Sequence, residues 1–143
     1  MNIIVDTGFW IALYDGADEH HTWANQLWDE LSNNHKFIVP YPTMYEFINT
    51  RLMRRREKLL FFKELFNRLD TIIKVSDECY KEDALRITFE TENRDLSLVD
   101  NTIRLMIEDE HILKHAVITT NVGDFSDVCR KKRIQLISQY DIK

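Results

Sequence analysis

Five short apolar runs, separated by longer stretches of helical periodicity, constrain this chain more than any other feature. Ile3-Ile4-Val5, Phe37-Ile38-Val39, Ile72-Ile73-Lys74-Val75, Ala116-Val117-Ile118-Thr119 and Ile134-Gln135-Leu136-Ile137 are near-continuous rather than alternating. That is the pattern of strands covered on both faces, which parallel sheets require. Between them the period changes to that of a helix. Phe9 to Leu13 gives one or two turns, and a helix over about His20 to Leu31 puts Trp23, Leu27 and Leu31 on one face. Thr43 is placed to cap a helix holding Met44, Phe47, Ile48 and Leu52, and an apolar helix follows over Leu59 to Leu69. Asp77 can cap a helix with Tyr80, Ala84 and Ile87 in phase. Ser97 opens another, with Val99, Ile103, Met106 and Ile107 as its stripe, and a short helix follows Asp124. The alternation predicts an open α/β sheet with helices on both faces. In such sheets the site lies beyond the carboxyl ends of the strands.

At 143 residues the chain suits one domain spanning 1–143, and with three glycines and two prolines it has little material for linkers. A net charge of −5 argues against a broad basic face that grips duplex nucleic acid. Cys79 and Cys129 are far apart and form no C-x-x-C pair, so they read as two buried thiols in a reducing cytoplasm. Asp6 interrupts the N-terminal apolar stretch, and no run has the roughly 18–20 apolar residues of a membrane span.

The rule for open sheets singles out four acids. Asp6 directly follows the first strand, Glu46 lies on the helix after the second, Asp100 falls in the first turn of the helix before the fourth strand, and Asp124 comes shortly after that strand. Clustered carboxylates repel unless a cation compensates, and an all-oxygen set suits Mg²⁺ or Mn²⁺. Each acid also has an ordinary structural reading. Asp6 and Asp124 can cap the helices behind them, Ser97-Leu98-Val99-Asp100 has the form of a capping box, and Glu46 can be a solvated surface residue. What favours the site is that all four fall at one edge of one sheet.

The ordered set resembles the PIN domain family. Val5-Asp6-Thr7 is similar to that family's opening, and Glu46 within Thr43-Met44-Tyr45-Glu46-Phe47 to its second acid. Leu96-Ser97-Leu98-Val99-Asp100 resembles its third-acid motif, and Thr119-Thr120-Asn121-Val122-Gly123-Asp124-Phe125 a variant of its fourth. The resemblance implies a three-layer α/β/α sandwich around a parallel sheet of about five strands. It also implies a Mg²⁺- or Mn²⁺-dependent endoribonuclease with Asp6, Glu46, Asp100 and Asp124 as catalytic residues and Asp6, Asp100 and Asp124 as metal ligands. Thr7, Ser97 and Asn121 would support them. A compact member of this kind resembles the VapC-type toxin of a type II toxin–antitoxin pair, a cytoplasmic homodimer neutralised by a small protein antitoxin. Many members carry an aspartate where this chain has Asn121, which leaves open whether Asn121 or Asp124 completes the metal site.

The competing reading is a PIN-like RNA-binding or regulatory module without catalysis. A receiver domain or a dehalogenase-like phosphatase is disfavoured, because Asp6 is followed by Thr7-Gly8 rather than by a neighbouring acid or a D-x-D pattern. His111 and His115, spaced i, i+4, read as exposed residues near a helix end rather than zinc ligands, and His20 as a surface residue near the first acid. Arg51, Arg54 and Arg55 follow the helix bearing Glu46 and are candidates for RNA contact. Arg130-Lys131-Lys132-Arg133 reads as helix-end charge. The Leu59 to Leu69 stretch is apolar beyond one core-facing stripe, from deep packing or from a surface for a partner.

Overall fold

The computed structural model describes residues 1–92 and 95–141, so positions 93–94 and 142–143 of the expected domain span lie outside the described residues. The apolar runs form strands β1 (Asn2–Val5), β2 (Lys36–Pro40), β3 (Ile72–Val75), β4 (Ala116–Ile118) and β5 (Gln135–Ile137). They make one sheet of order β3-β2-β1-β4-β5 in which every neighbouring pair is parallel. Strand β1 lies at the centre, with Ile3 opposite both Phe37 and Ala116 and Ile4 opposite both Ile38 and Val117.

Because side chains alternate along a strand, neighbouring residues feed different cores. Ile3, Val5, Phe37, Val39, Ala116 and Ile118 pack under α1 (Thr7–Tyr14), α2 (His21–Leu31), α3 (Tyr41–Ile48) and α4 (Arg56–Phe66). Ile4, Ile38 and Val117 face α6 (Leu98–Glu108) and α7 (Val122–Lys132), with Tyr80, just before α5 (Lys81–Glu90), packed at the margin. The result is the three-layer α/β/α sandwich expected from the sequence. The first core is aromatic: Phe62 of α4 meets Phe47 at 4.7 Å between ring centroids, Tyr14 at 5.8 Å and Trp10 at 5.9 Å. Edge-on ring pairs of this kind add to what burial alone contributes.

Several helix starts differ from expectation. Helix α3 begins at Tyr41 behind Pro40, whose extended backbone ends β2, and Pro42 fits the first turn because no N–H is needed there. Thr43 therefore lies inside the helix, and its hydroxyl donates to the Pro40 carbonyl at 2.7 Å instead of capping. Leu52 falls in a separate 3₁₀ turn, Leu52–Arg54. Helix α4 ends at Phe66, which leaves Leu69 outside it and 85% exposed. Tyr80, not Asp77, occupies the cap position of α5, because the backbone N–H groups of Tyr80 and Lys81 already bond the Asp77 carbonyl. Helix α7 starts one turn earlier than expected, at Val122, with Asn121 rather than Asp124 at its cap position.

Cys129 is buried as expected, but Cys79 is exposed, since it sits in the turn before α5 rather than on an inward face. His111 and His115 share no helix, because α6 stops at Glu108. The His115 ring instead accepts from the backbone N–H of Asn2 at 3.0 Å. In the second basic run, Lys131 and Lys132 stand 3.7 Å from Glu108 and Glu110, as expected of helix-end charge. No helix of the described residues is long and apolar enough to cross a membrane.

Candidate functional site

The strand order reverses between β1 and β4. Chain connections run outward from β1 toward β3 on one side, then return to place β4 on the other. A crevice forms at such a switch point, beyond the strand ends. Asp6 follows β1 there, and its backbone N–H continues the ladder to the Ile118 carbonyl of β4 at 3.0 Å. The Asp6 side chain is held at both oxygens. Oδ1 accepts from the Thr7 backbone N–H at 2.8 Å, and Oδ2 accepts from the Thr119 hydroxyl at 2.9 Å. Only 5% of Asp6 is exposed.

That burial pushes the Asp6 carboxyl up to about 6, against the two hydrogen bonds, and the negative charges of Asp100 and Glu46 push it further the same way. The acids from β1, α3 and α6 are thus near enough to repel. Thr7 links two of them, since its backbone N–H serves Asp6 and its hydroxyl donates to Glu46 Oε1 at 2.6 Å. Glu46 itself lies exposed on α3.

Asp100 stands in the first turn of α6, where the capping box suggested by the sequence is complete. Its Oδ2 accepts from the Ser97 backbone N–H at 3.0 Å, and its own N–H donates to Ser97 Oγ at 3.1 Å. The cap and the electrostatic role coexist, because one carboxylate oxygen is enough for the box. Asp124, half-buried in the first turn of α7, has its carboxyl raised by burial and then by the charge of Asp100, with Arg104 opposing and Asp95 adding to the rise. Asp100 therefore sits electrostatically between Asp6 and Asp124. Asn121 is exposed, and its backbone N–H donates to Thr119 Oγ1 at 2.9 Å.

Two residues with evident positioning roles escape a reading of the sequence. Thr119 touches Asp6 across 113 positions of chain, although it stands in the motif that ends at Asp124. Arg104 lies one helical turn beyond Asp100. Its guanidinium grips Asp127 with two bonds of 2.7 Å and the Asp124 carbonyl with one of 2.8 Å, fixing the start of α7 against α6. Spacing of i, i+4 from Asp100 was the available signal. A polar cleft of about 400 Å³ opens beside these groups, lined in part by Asp95, Asn101, Arg104, Asp124 and Asp127.

Among the described residues, no three His, Cys, Asp or Glu side chains are grouped closely enough to hold an ion between them. Glu46 is turned to Thr7 and Asp100 to Ser97. The donor chemistry nevertheless suits Mg²⁺ or Mn²⁺. All the candidate ligand atoms are hard oxygens, and Mg²⁺ commonly takes only one or two carboxylates and keeps its waters. Arg51, Arg54 and Arg55 are exposed beyond α3, and among the described residues no hydrogen bond or ion pair joins them to the acids.

Comparison with known proteins agrees with this architecture. The crystal structure of VapC20 from Mycobacterium tuberculosis, described as a sarcin–ricin loop cleaving toxin, matches with a TM-score of 0.67 and 21% identity, covering 87% of this chain and 94% of that one. VapBC2 from Rickettsia felis, solved bound to a DNA fragment from their promoter, matches with a TM-score of 0.58 and 15% identity, covering 96% of this chain and 98% of that one. At such identities these likenesses speak for the fold. No curated protein sequence matches the chain. The sequence model of the PIN domain matches residues 3–131, which takes in β1 to β4 and the helices up to α7, and the chain belongs to the PIN domain family.

Proposed function

We propose that this protein is a Mg²⁺- or Mn²⁺-dependent endoribonuclease, acting as a single PIN domain in the cytoplasm and serving as the toxin of a type II toxin–antitoxin pair. The observation that carries the proposal is the cost of Asp6. A carboxylate buried at the switch point, facing Asp100 and Glu46, disfavours its own ionisation unless a cation offsets it. Asp6, Asp100 and Asp124 would hold the ion in part through its retained waters, since among the described residues no three carboxylates are grouped closely enough to ligate it directly. When bound, it would supply positive charge against the acids and against the charge that develops on a phosphodiester under in-line attack.

The chain's own residues do the rest. Thr119 and the Thr7 N–H aim the Asp6 oxygens, Ser97 fixes the Asp100 carboxylate, and Arg104 holds the first turn of α7, with Asp124, beside α6. Glu46, exposed and tethered through Thr7, would take the proton of the attacking water. Asn121 offers a neutral oxygen, so Asp124 would fill the fourth charged position. Arg51, Arg54 and Arg55 would contact RNA phosphates away from the acids.

Support for a partner comes from α3 and α4, where Tyr45, Leu60 and Phe61 are exposed, Phe61 by 63%. Exposed apolar residues on two helices that pack together through Phe47 and Phe62 fit a surface for a second copy or an antitoxin segment. The alternative, an RNA-binding module without catalysis, is favoured by the engagement of Glu46 and Asp100 in hydrogen bonds of their own. Cleavage of single-stranded RNA decides between them. Purified protein with Mn²⁺ should cut it, and Asp6→Asn and Asp124→Asn should each lower the rate by roughly 100-fold or more while the fold persists. Rates unchanged in both variants would remove the acids from the chemistry.

A further inference from the structure

Thr119 reaches Asp6 across the switch point, and what holds Thr119 in place lies beyond the acids. Its hydroxyl donates to Asp6 Oδ2 at 2.9 Å and accepts from the Asn121 N–H at 2.9 Å, so both ends of that O–H are engaged. Thr119 is fully buried, and its backbone N–H donates to the Ile137 carbonyl at 3.1 Å, which extends the β4–β5 pairing past the strand end. The next tie is made by a side chain. Gln139 Nε2 donates to the Thr120 carbonyl at 3.0 Å.

The turn that carries Gln139 is closed on itself. The Ser138 N–H donates to Asp141 Oδ2 at 2.8 Å, and the Asp141 N–H donates to the Ser138 carbonyl at 3.0 Å. Thr120 is also met by α1. A Cβ on Gly8 would fall 2.5 Å from Thr120 Oγ1. Gly8 has no positive φ, so glycine is needed there for space and not for conformation. Thr120 is thus held by both the first turn of α1 and the C-terminal turn.

A second observation concerns Gln139 itself. Its Oε1 is buried and has no hydrogen-bond partner among the described residues. A buried acceptor left unpaired costs more than a neutral hydrogen bond usually contributes, and such groups in a native fold call for a reason. For stability alone, an apolar side chain of the same length would serve at least as well. The reason for an amide here is the one bond that Nε2 makes.

We propose that Gln139 is a positioning residue for the acid site: by fixing Thr120 it keeps the Thr119 hydroxyl on Asp6, and so presents the Asp6 carboxylate to a cation. Gln139 lies past residue 131, where the match to the PIN domain ends. The inference rests on the reading of Asp6 as a metal ligand, while the brace itself is a set of hydrogen bonds within the metal-free protein.

The test compares full-length wild type with Gln139→Met, which keeps the length of the side chain and removes both of its polar atoms. The readouts are the melting midpoint in EDTA, the Thr119 methyl and Asp6 carboxyl resonances in EDTA, and the affinity for Mn²⁺. Gln139→Met should melt no lower than wild type, since the orphaned acceptor goes together with the bond. It should nevertheless shift both resonances and bind Mn²⁺ about tenfold more weakly, as loss of an orienting group outside the ligands does. Gly8→Ala, which presses on Thr120 from α1, should weaken Mn²⁺ by a similar factor. Adding Thr120→Ala, which removes the clashing Oγ1, should restore the affinity. Wild-type resonances and affinity in Gln139→Met overturn the proposal. So does a lowered midpoint with unmoved resonances, which makes Gln139 an ordinary structural contact, and so does a failure of Thr120→Ala to rescue Gly8→Ala. If wild type binds no Mn²⁺, the metal reading fails, and the two resonances alone decide whether Gln139 braces Asp6.

Discussion

Asp6 shows how one residue can be legible in the sequence and still misread in part. Its place after an apolar strand announces a cap, and it does accept from the Thr7 N–H. What the sequence hides is the depth of burial and the contact with Thr119, which exist only once β1 and β4 are side by side. The consequence is measurable. With its carboxyl raised from 3.8 to about 6, folded Asp6 holds its proton more tightly than the unfolded chain does. Its contribution to stability is therefore fully present below about pH 4 and is lost as pH rises through 6, a change of up to about 3 kcal/mol. In EDTA, Asp6→Asn should melt above wild type at pH 7.5, and the difference should vanish near pH 4. Denaturant unfolding across that range checks it, and equal pH dependence of the two proteins would show the burial cost to be negligible. Arg133, read in the sequence only as helix-end charge, ends α7 in the left-handed region at φ 58°, a place where glycine is usual.

At the scale of elements, strands were the most legible part. Near-continuous apolar runs have few other solutions, and all five appear within a residue or two of expectation. Helix starts were less so, because Thr43, Asp77 and Asp124 are each chemically able to cap while the backbone nearby had other partners. The capping box at Ser97 was read correctly because both of its halves are local. Arg104 was missed because its work is between helices. Arg104→Met should cost only on the order of 1 kcal/mol of stability, since Asp127 is 65% exposed and solvent screens the pair. It should nevertheless weaken Mn²⁺ binding by about tenfold, as loss of an orienting group around a metal does. A Mn²⁺ titration of folded variant and wild type measures this, and identical affinities would make the clamp purely structural. For helix α4 the sequence left deep packing and a partner surface both open. Phe62 and Leu65 are consumed by the core, while Leu60 and Phe61 remain outside. Phe61→Ser should change stability by less than about 0.5 kcal/mol yet shift a sedimentation profile toward monomer. An unchanged profile in a self-associating protein would place the interface elsewhere.

The whole molecule is an acidic chain whose parallel sheet brings the ends of β1 and β4 and the starts of α3, α6 and α7 toward one switch point. Order along the chain picked out Asp6, Glu46, Asp100 and Asp124 there as candidates. The sequence could not show that Asp6 would be bonded to Thr119 or Glu46 to Thr7, because those contacts depend on packing between elements. Thermal melts at pH 7.5 in EDTA and in millimolar Mn²⁺ test most directly whether these acids bind a cation. Wild type should gain about 2.7 kcal/mol at a hundredfold excess of metal over Kd. Asp100→Asn, whose amide oxygen can still accept from Ser97, should keep its metal-free midpoint and lose most of that gain. If Mn²⁺ leaves the wild-type midpoint unmoved, or stabilises Asp100→Asn equally, the acids are helix caps and side-chain anchors, and no metal-dependent chemistry belongs to them.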